Sequence, residues 1–256
     1  MTVSIAELEL AAAEIWRAPD EGRLGEWLLR AAGGFTSRAN SVLAIGDPGM
    51  PLPEAIDEVV RWYKARDLPA QVTIACPLDR PQDDPHDGFL ASLGWTVRGG
   101  ALVMTAPFET AIGLGYDGTE RVEFREEPDD DWLACYRWHE ETAPPVAGRV
   151  LKSAPWQAFG SIRAAGQTVA IGRVAIARGW AGLMAIRVDP GHRRQGLAQI
   201  MTSVLAENAE SRGAHGLYLQ VETGNAAARS LYERMGFTYH HAYHFRIVPD
   251  GGMSAD

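Results

Sequence analysis

The chain repeats itself. Shifted by 142 residues, SVLAIGDPG (Ser41–Gly49) lies on LMAIRVDPG (Leu183–Gly191), and in the same register LASLGWT (Leu90–Thr96) lies on YERMGFT (Tyr232–Thr238). One shared tripeptide arises by chance; two in one register, with helix-like and strand-like segments between them, point to a duplicated structural unit. The 256 residues accommodate two such units, each long enough to bury its own core. The expected division is a first domain over 1–110 and a second over 120–250, parted by the irregular stretch 108–125.

Hydrophobic periodicity gives each half helices and strands. AELELAAAEIWRA and PLPEAIDEVVRWYKARD carry apolar residues at helical spacing, and EWLLRAAGG reads as a short helix stopped by Gly33 and Gly34. NSVLAIG, QVTIACP and GALVMTAP read as strands, with HDGFLASLG a short helix before the last. In the second half a helix is expected in DDWLACYRWHEE, then strands in AFGSIRAA, QTVAIGRVAIA and WAGLMAIRVDP. A long helix over Arg194–Arg212, a strand GLYLQVE, a helix NAAARSLYERMG and a strand YHHAYHFRIV complete it.

The copies differ where chemistry would sit. Arg193, Arg194, Gly196 and Ala198 of the second half face Pro51, Leu52, Glu54 and Ile56 of the first, and Tyr232 faces Leu90. Any site is therefore expected in the second half only. There a strand ends at Asp189–Pro190 and a helix starts a few residues on. First-turn amides lack intrahelical acceptors and carry the positive end of the helix dipole, so a diphosphate can satisfy them if no side chain intervenes. Gly196 and the small Ala198 leave that approach open, and the two arginines can neutralise the oxygens. The turn is neither a Walker loop nor a GxGxxG dinucleotide turn. Further on, Asn225 can cap a helix on which Ala228 and Tyr232 share a face.

Together, VDPGHRRQGLA and NAAARSLYERMGF resemble the two signature motifs of the GNAT superfamily of N-acyltransferases, the first being its R/Q-x-x-G-x-G/A pyrophosphate motif (Arg193, Gly196, Ala198). The resemblance is strong over about residues 120–248 and reaches the first half only through the repeat, as in tandem GNAT proteins with one degenerate copy. It implies an α/β (α+β) fold of two GNAT-like domains, each a mixed central sheet flanked by helices. It also implies an acetyl-CoA-dependent N-acetyltransferase acting on a primary amine, and a small-molecule acceptor is preferred to an exposed protein amine because two fused domains can wall in a compact cleft. A non-catalytic acyl-CoA-binding regulatory module is the alternative, and the positioned phenol of Tyr232 argues against it. By the resemblance, backbone groups of Ile186 and Val188 would hold the pantetheine, and Arg193, Arg194, Gln195, Gly196, Leu197 and Ala198 the diphosphate. Asn225 and Ala228 would face the cofactor, and Tyr232 would give its proton to the departing sulfur.

Glu222, ending the strand GLYLQVE, is the candidate base, with a structural salt bridge as its competing role. Trp27, Arg38, Asn40 and Ser41 of the first half are candidates for lining the acceptor pocket. No metal is expected: His240 and His244 share a strand face but stand about 13 Å apart at ~3.3 Å per residue, and His241 points the other way. Trp132, Trp138, Trp156 and Trp180 read as core or as an aromatic substrate wall.

A formal charge of −9 and a pI near 5.3 disfavour nucleic acid as a partner. Two cysteines are too few for a disulfide framework, MTVSIAELEL lacks a signal peptide's basic start, and no apolar run reaches the length of a membrane span. A cytoplasmic location and no membrane association are the expectations. A homodimer is open, since strand edges can pair between chains or within one.

Overall fold

The computed structural model describes residues 3–80, 84–112, 122–138 and 141–249, so much of the expected boundary at 108–125 lies outside the described residues. In chain order the elements are α1 (Ile5–Ile15), β1 (Asp20–Leu24), β2 (Trp27–Ala31), β3 (Val42–Leu43), α2 (Leu52–Lys64), β4 (Gln71–Cys76), α3 (Pro85–Ser92), β5 (Thr96–Ala106) and α4 (Phe108–Ala111). They continue with β6 (Val122–Arg125), α5 (Asp130–Cys135), β7 (Arg137–Trp138), β8 (Glu141–Thr142), α6 (Val146–Leu151), β9 (Trp156–Ala164), β10 (Gln167–Ala177) and β11 (Trp180–Val188). The chain closes with α7 (Leu197–Glu210), β12 (Gly216–Glu222), α8 (Ala226–Arg234) and β13 (Thr238–Ile247).

Two compact units result, and neither is one continuous piece of chain. Unit 1 comprises Met1–Leu102, Val146–Ser153 and His240–Asp256; unit 2 comprises Val103–Pro145 and Ala154–Tyr239. Residues 103–110 of the first expected domain thus belong to unit 2, and 240–250 of the second to unit 1. Within each unit the same order recurs. An antiparallel hairpin (β1–β2 or β9–β10) is followed by an antiparallel strand (β3 or β11), a helix (α2 or α7) and a parallel strand (β4 or β12). A short helix follows each parallel strand, α3 or α8.

In unit 1, α1 starts at a capping box: the Ser4 hydroxyl accepts the Glu7 N–H (3.2 Å) and the Glu7 carboxylate accepts the Ser4 N–H (2.8 Å). The stretch expected as a helix, EWLLRAAGG, is instead the strand β2. Its five residues are all buried, with Leu28 packing beside Ala13 of α1 and Trp27 and Leu29 joining Ile56, Val59 and Tyr63 of α2. A strand covered on both faces shows no alternation, and its apolar run is indistinguishable from a buried helical turn.

On β13, His241 is fully buried, and its Nε2 lies 2.9 Å from Glu9 Oε1. The expected separation of neighbouring rings fails here: His240 Nδ1 lies 2.8 Å from His241 Nδ1, and His240 Nε2 lies 3.0 Å from the Val3 carbonyl. Strand alternation fixes where Cβ atoms point, and side-chain torsions bring these two rings back together at the strand's start. Among the described residues no group of three or more metal-ligating side chains occurs.

Farther along β13, Asp87 of α3 accepts from Arg246 Nε (2.7 Å) and Nη2 (2.9 Å), and His244 Nε2 lies 2.7 Å from it. The Arg246 hydrogen bonds first, and then that of His244, hold the Asp87 carboxyl below its usual range. A depressed carboxyl contributes stability above its unfolded pKa of ~3.9 and loses it as pH falls through the lower folded value. Acid unfolding midpoints are therefore expected to shift to higher pH in Asp87→Asn, with the difference between the proteins closing as pH falls through the lowered folded value. An unchanged acid limb would remove this network from the stability of unit 1.

In unit 2, α7 lies on the sheet through Ile200, Met201 and Leu205. A Cβ on Gly172 of β10 would come 2.7 Å from Met201 Cγ and 2.8 Å from Leu205 Cδ1, so glycine is what admits the helix so close. Trp132 is likewise core, 1% exposed, with its indole N–H donating to the Gly160 carbonyl (3.2 Å). No helix among the described residues is long and apolar enough to cross a membrane.

Candidate active site

Two irregularities of β11 create the site. Ile171 pairs with Arg187 and Arg173 with Met184, so Gly172 alone stands opposite Ala185 and Ile186. This is a β-bulge, with Ala185 in the left-handed region at φ 54°. On the other edge, β11 pairs with β12 from Trp180–Gly216 only as far as Leu183–Leu219. Beyond that point β11 runs on to Val188 and β12 to Glu222 without pairing to each other. The strands part, and a cleft of about 660 Å³ opens.

Ile186, Arg187 and Val188 form one wall. The loop after them is shaped by Asp189, which accepts the Gly191 N–H (3.0 Å) and meets His192 Nδ1 (3.1 Å). That histidine contact first, and then the Gly191 amide and the Arg193 charge, hold the Asp189 carboxyl below its usual range. His192, Arg193 and Arg194 reach the cleft from this loop. Gly196 is the N-cap of α7 at φ 81°, a conformation that side-chain-bearing residues rarely adopt, and no side chain caps the helix. No atom lies within 4 Å of where a Cβ would project from Gly196, and Leu197, Ala198 and Gln199 continue the lining. A helix start with an open approach and two exposed arginines beside it suits a diphosphate.

The opposite wall is α8. Asn225 caps it, its Oδ1 accepting the Ala228 N–H (3.1 Å), and Ala227, Ala228, Ser230, Leu231, Tyr232 and Arg234 line the cleft. The Tyr232 ring stands edge-on to Phe237, with centroids 5.7 Å apart, and burial pushes its phenol up to about 12. It is therefore protonated throughout the neutral range.

Of the residues expected to bind cofactor, Ile186, Val188, Arg193, Arg194, Gly196, Leu197, Ala198 and Ala228 line this cleft, joined by Tyr232. Gln195 is exposed beside it and Asn225 is engaged as a helix cap, neither forming part of the wall. Glu222 is exposed at the end of β12, outside the lining. Sequence reasoning missed Arg187, His192, Gln199, Ala227, Ser230, Leu231 and Arg234. Helical spacing holds the signal for part of this set, because Ala227–Leu231 and Ser230–Arg234 are i,i+4 pairs flanking Ala228–Tyr232.

The first-half candidates are placed otherwise. Trp27 is fully buried, its indole N–H donating to the Gly46 carbonyl (3.2 Å). Asn40 accepts from the amides of Ala32 (2.8 Å) and Gly34 (3.0 Å) and donates to the carbonyls of Phe35 and Thr36 (both 2.8 Å). Ser41 is buried against Arg30 and Thr73, and Arg38 lies 5.0 Å over the Trp16 ring. Polar residues before a strand read as pocket-forming, yet here Asn40 satisfies the backbone of the 32–36 turn and Ser41 joins the buried Arg30 and Thr73 side chains. Trp27, Asn40 and Ser41 are thus corrected from pocket lining to the framework of unit 1.

Comparison with known proteins agrees with this geometry. Residues 2–246 match the family described as "Probable histone acetyltransferase Rv0428c C-terminal". The Mycobacterium tuberculosis protein "Probable histone acetyltransferase Rv0428c" is 32% identical, the match covering 100% of this chain and 77% of that one. "Uncharacterized N-acetyltransferase YobR" of Bacillus subtilis is 29% identical, over 95% of this chain and 98% of its own. Among solved structures, a GCN5-related N-acetyltransferase from Kribbella flavida shares the fold with a TM-score of 0.69 at 15% identity, each chain covered to 97%.

Proposed function

Because the chain belongs to the Rv0428c C-terminal acetyltransferase family of the GNAT superfamily, and so transfers an acetyl group to an amine, we propose that its donor is acetyl-CoA and its acceptor a small-molecule primary amine. The observation that carries this reading is the meeting, in one cleft, of a bulged and unpaired β11 edge, a glycine-started helix and a half-buried phenol. When bound, acetyl-CoA supplies an acetyl group activated as a thioester.

The chain's own residues divide the remaining work. First-turn amides of α7, with Arg193 and Arg194, hold the diphosphate, while backbone groups of Ile186 and Val188 orient the pantetheine. The Val188 amide stabilises charge developing on the acetyl oxygen. Tyr232 hydrogen-bonds the departing sulfur, and Glu222 accepts the amine proton through water. The first half is a degenerate copy that kept its scaffold and lost the diphosphate turn, and the setting is cytoplasmic. A protein amine is the second reading, favoured by the name of the mycobacterial relative.

The test is acetyl-CoA with a panel of primary amines and lysine-bearing peptides, following free thiol and confirming acetylated products by mass. Small primary amines are expected to turn over, with Glu222→Gln slowing them most at low pH, where free amine is scarce. Peptides turning over in preference would replace the small-molecule reading. Binding of acetyl-CoA outside the Ile186–Arg234 cleft would overturn the site.

A further inference from the structure

Unit 1 contains the same parting of parallel strands, and there too a cavity opens. β3 pairs with β4 only at Val42–Val72 and Leu43–Thr73; beyond these, Ala44 and Ile45 on one side and Ile74 and Ala75 on the other line a slot of about 230 Å³. Ile5 and Ala6 of α1 close one side, and Asp84 and His86 at the start of α3 contribute its polar groups. The volume exceeds the ~150 Å³ cavity that admits benzene. We propose that this slot binds a small alkylammonium ion, its chain against the apolar walls and its ammonium group at Asp84.

Charge and geometry select that ligand. A diphosphate is excluded, because the helix after β3 starts at Pro51 with neither the glycine nor the arginines of the second copy. A carboxylate is excluded at the other end. The α3 amides of His86 (2.8 Å) and Asp87 (3.1 Å) already donate to Asp84 Oδ1, and a second anion would be repelled by the first. Asp87 is matched by Arg246, whereas the ring of His86, 3.5 Å from Asp84 Oδ1, is the ionisable partner Asp84 has in the slot. The negative field extends beyond the slot: burial pushes the Cys76 thiol up, and Asp84 and Asp87 add to the rise. An uncharged hydrocarbon of the same size would fill the walls but would desolvate the carboxylate without compensation.

The site is independent of acetyl transfer, so it is tested without acetyl-CoA. Full-length protein is titrated with hexylammonium chloride and, separately, hexan-1-ol, binding being followed by calorimetry and ligand-observed NMR. Saturable binding of hexylammonium is expected, with hexanol and the Asp84→Asn variant each weaker by about fivefold, the upper range for a partly exposed ion pair. Asparagine caps helices as well as aspartate, so that variant removes charge and keeps α3. Ala44→Leu, which fills the slot, is expected to abolish binding, and excess coenzyme A to leave it unchanged. Equal affinity for hexanol, full affinity in Asp84→Asn, retained binding in Ala44→Leu or displacement by coenzyme A would each overturn the proposal. Acetyl transfer by the Asp84→Asn variant is measured alongside, so that failure of this site and failure of the catalytic reading register separately.

Discussion

Tyr232→Phe is expected to lower kcat about a hundredfold while moving the KM for acetyl-CoA by less than about threefold. The phenol adds a proton donor in the transition state; the ring, edge-on to Phe237, stays where it is in phenylalanine. The size follows from acidity. Burial pushes the phenol up to about 12, well above an ordinary thiol at ~8.5, so complete transfer to a thiolate is uphill. Its contribution is then a hydrogen bond to developing charge, at the low end of the ~10²–10⁴ range of acid–base catalysis. The same acidity fixes the pH signature. With no Tyr232 ionisation between pH 6 and 10, the rate profile should fall in height and keep its shape. A variant with wild-type turnover, or a vanished limb inside that window, would count against the assignment.

Gly196→Val should act on binding. The β-branched side chain must adopt φ 81°, which costs about 1–2 kcal/mol in a left-handed conformation. Packing adds nothing to this cost, because no atom lies within 4 Å of a Cβ at this position. The same open space is where a diphosphate would approach the α7 amides, and two methyl groups would fill it. Affinity for coenzyme A, measured by calorimetry, should fall about a hundredfold or more, with thermal stability only modestly lowered. Retained affinity would move the diphosphate away from the helix start.

Local rules explain what the sequence disclosed. The repeat exposed the order of elements because both copies kept their strand ends and helix stops, and the second copy's glycine and arginines stood out against their replacement in the first. β2 was misread because burial on both faces erases alternation. Trp27, Asn40 and Ser41 drew attention as polar or aromatic residues near a strand, whereas their partners at Gly46, in the 32–36 backbone and at Arg30 become visible only in three dimensions. The parting of β11 and β12 left no sequence mark either. It comes from a bulge at Ala185, a residue with no special claim on a left-handed conformation.

The contact between His240 and His241 sets a proton inventory. Two ring nitrogens 2.8 Å apart require one hydrogen between them, the Val3 carbonyl can only accept, and one more hydrogen joins His241 to Glu9. Three contacts thus hold three protons with no net charge. A carboxylate facing an imidazolium, and a carboxylic acid facing two neutral rings, are the same inventory differently placed. This partly buried row joins α1 to β13 by contacts that either placement of the hydrogens satisfies.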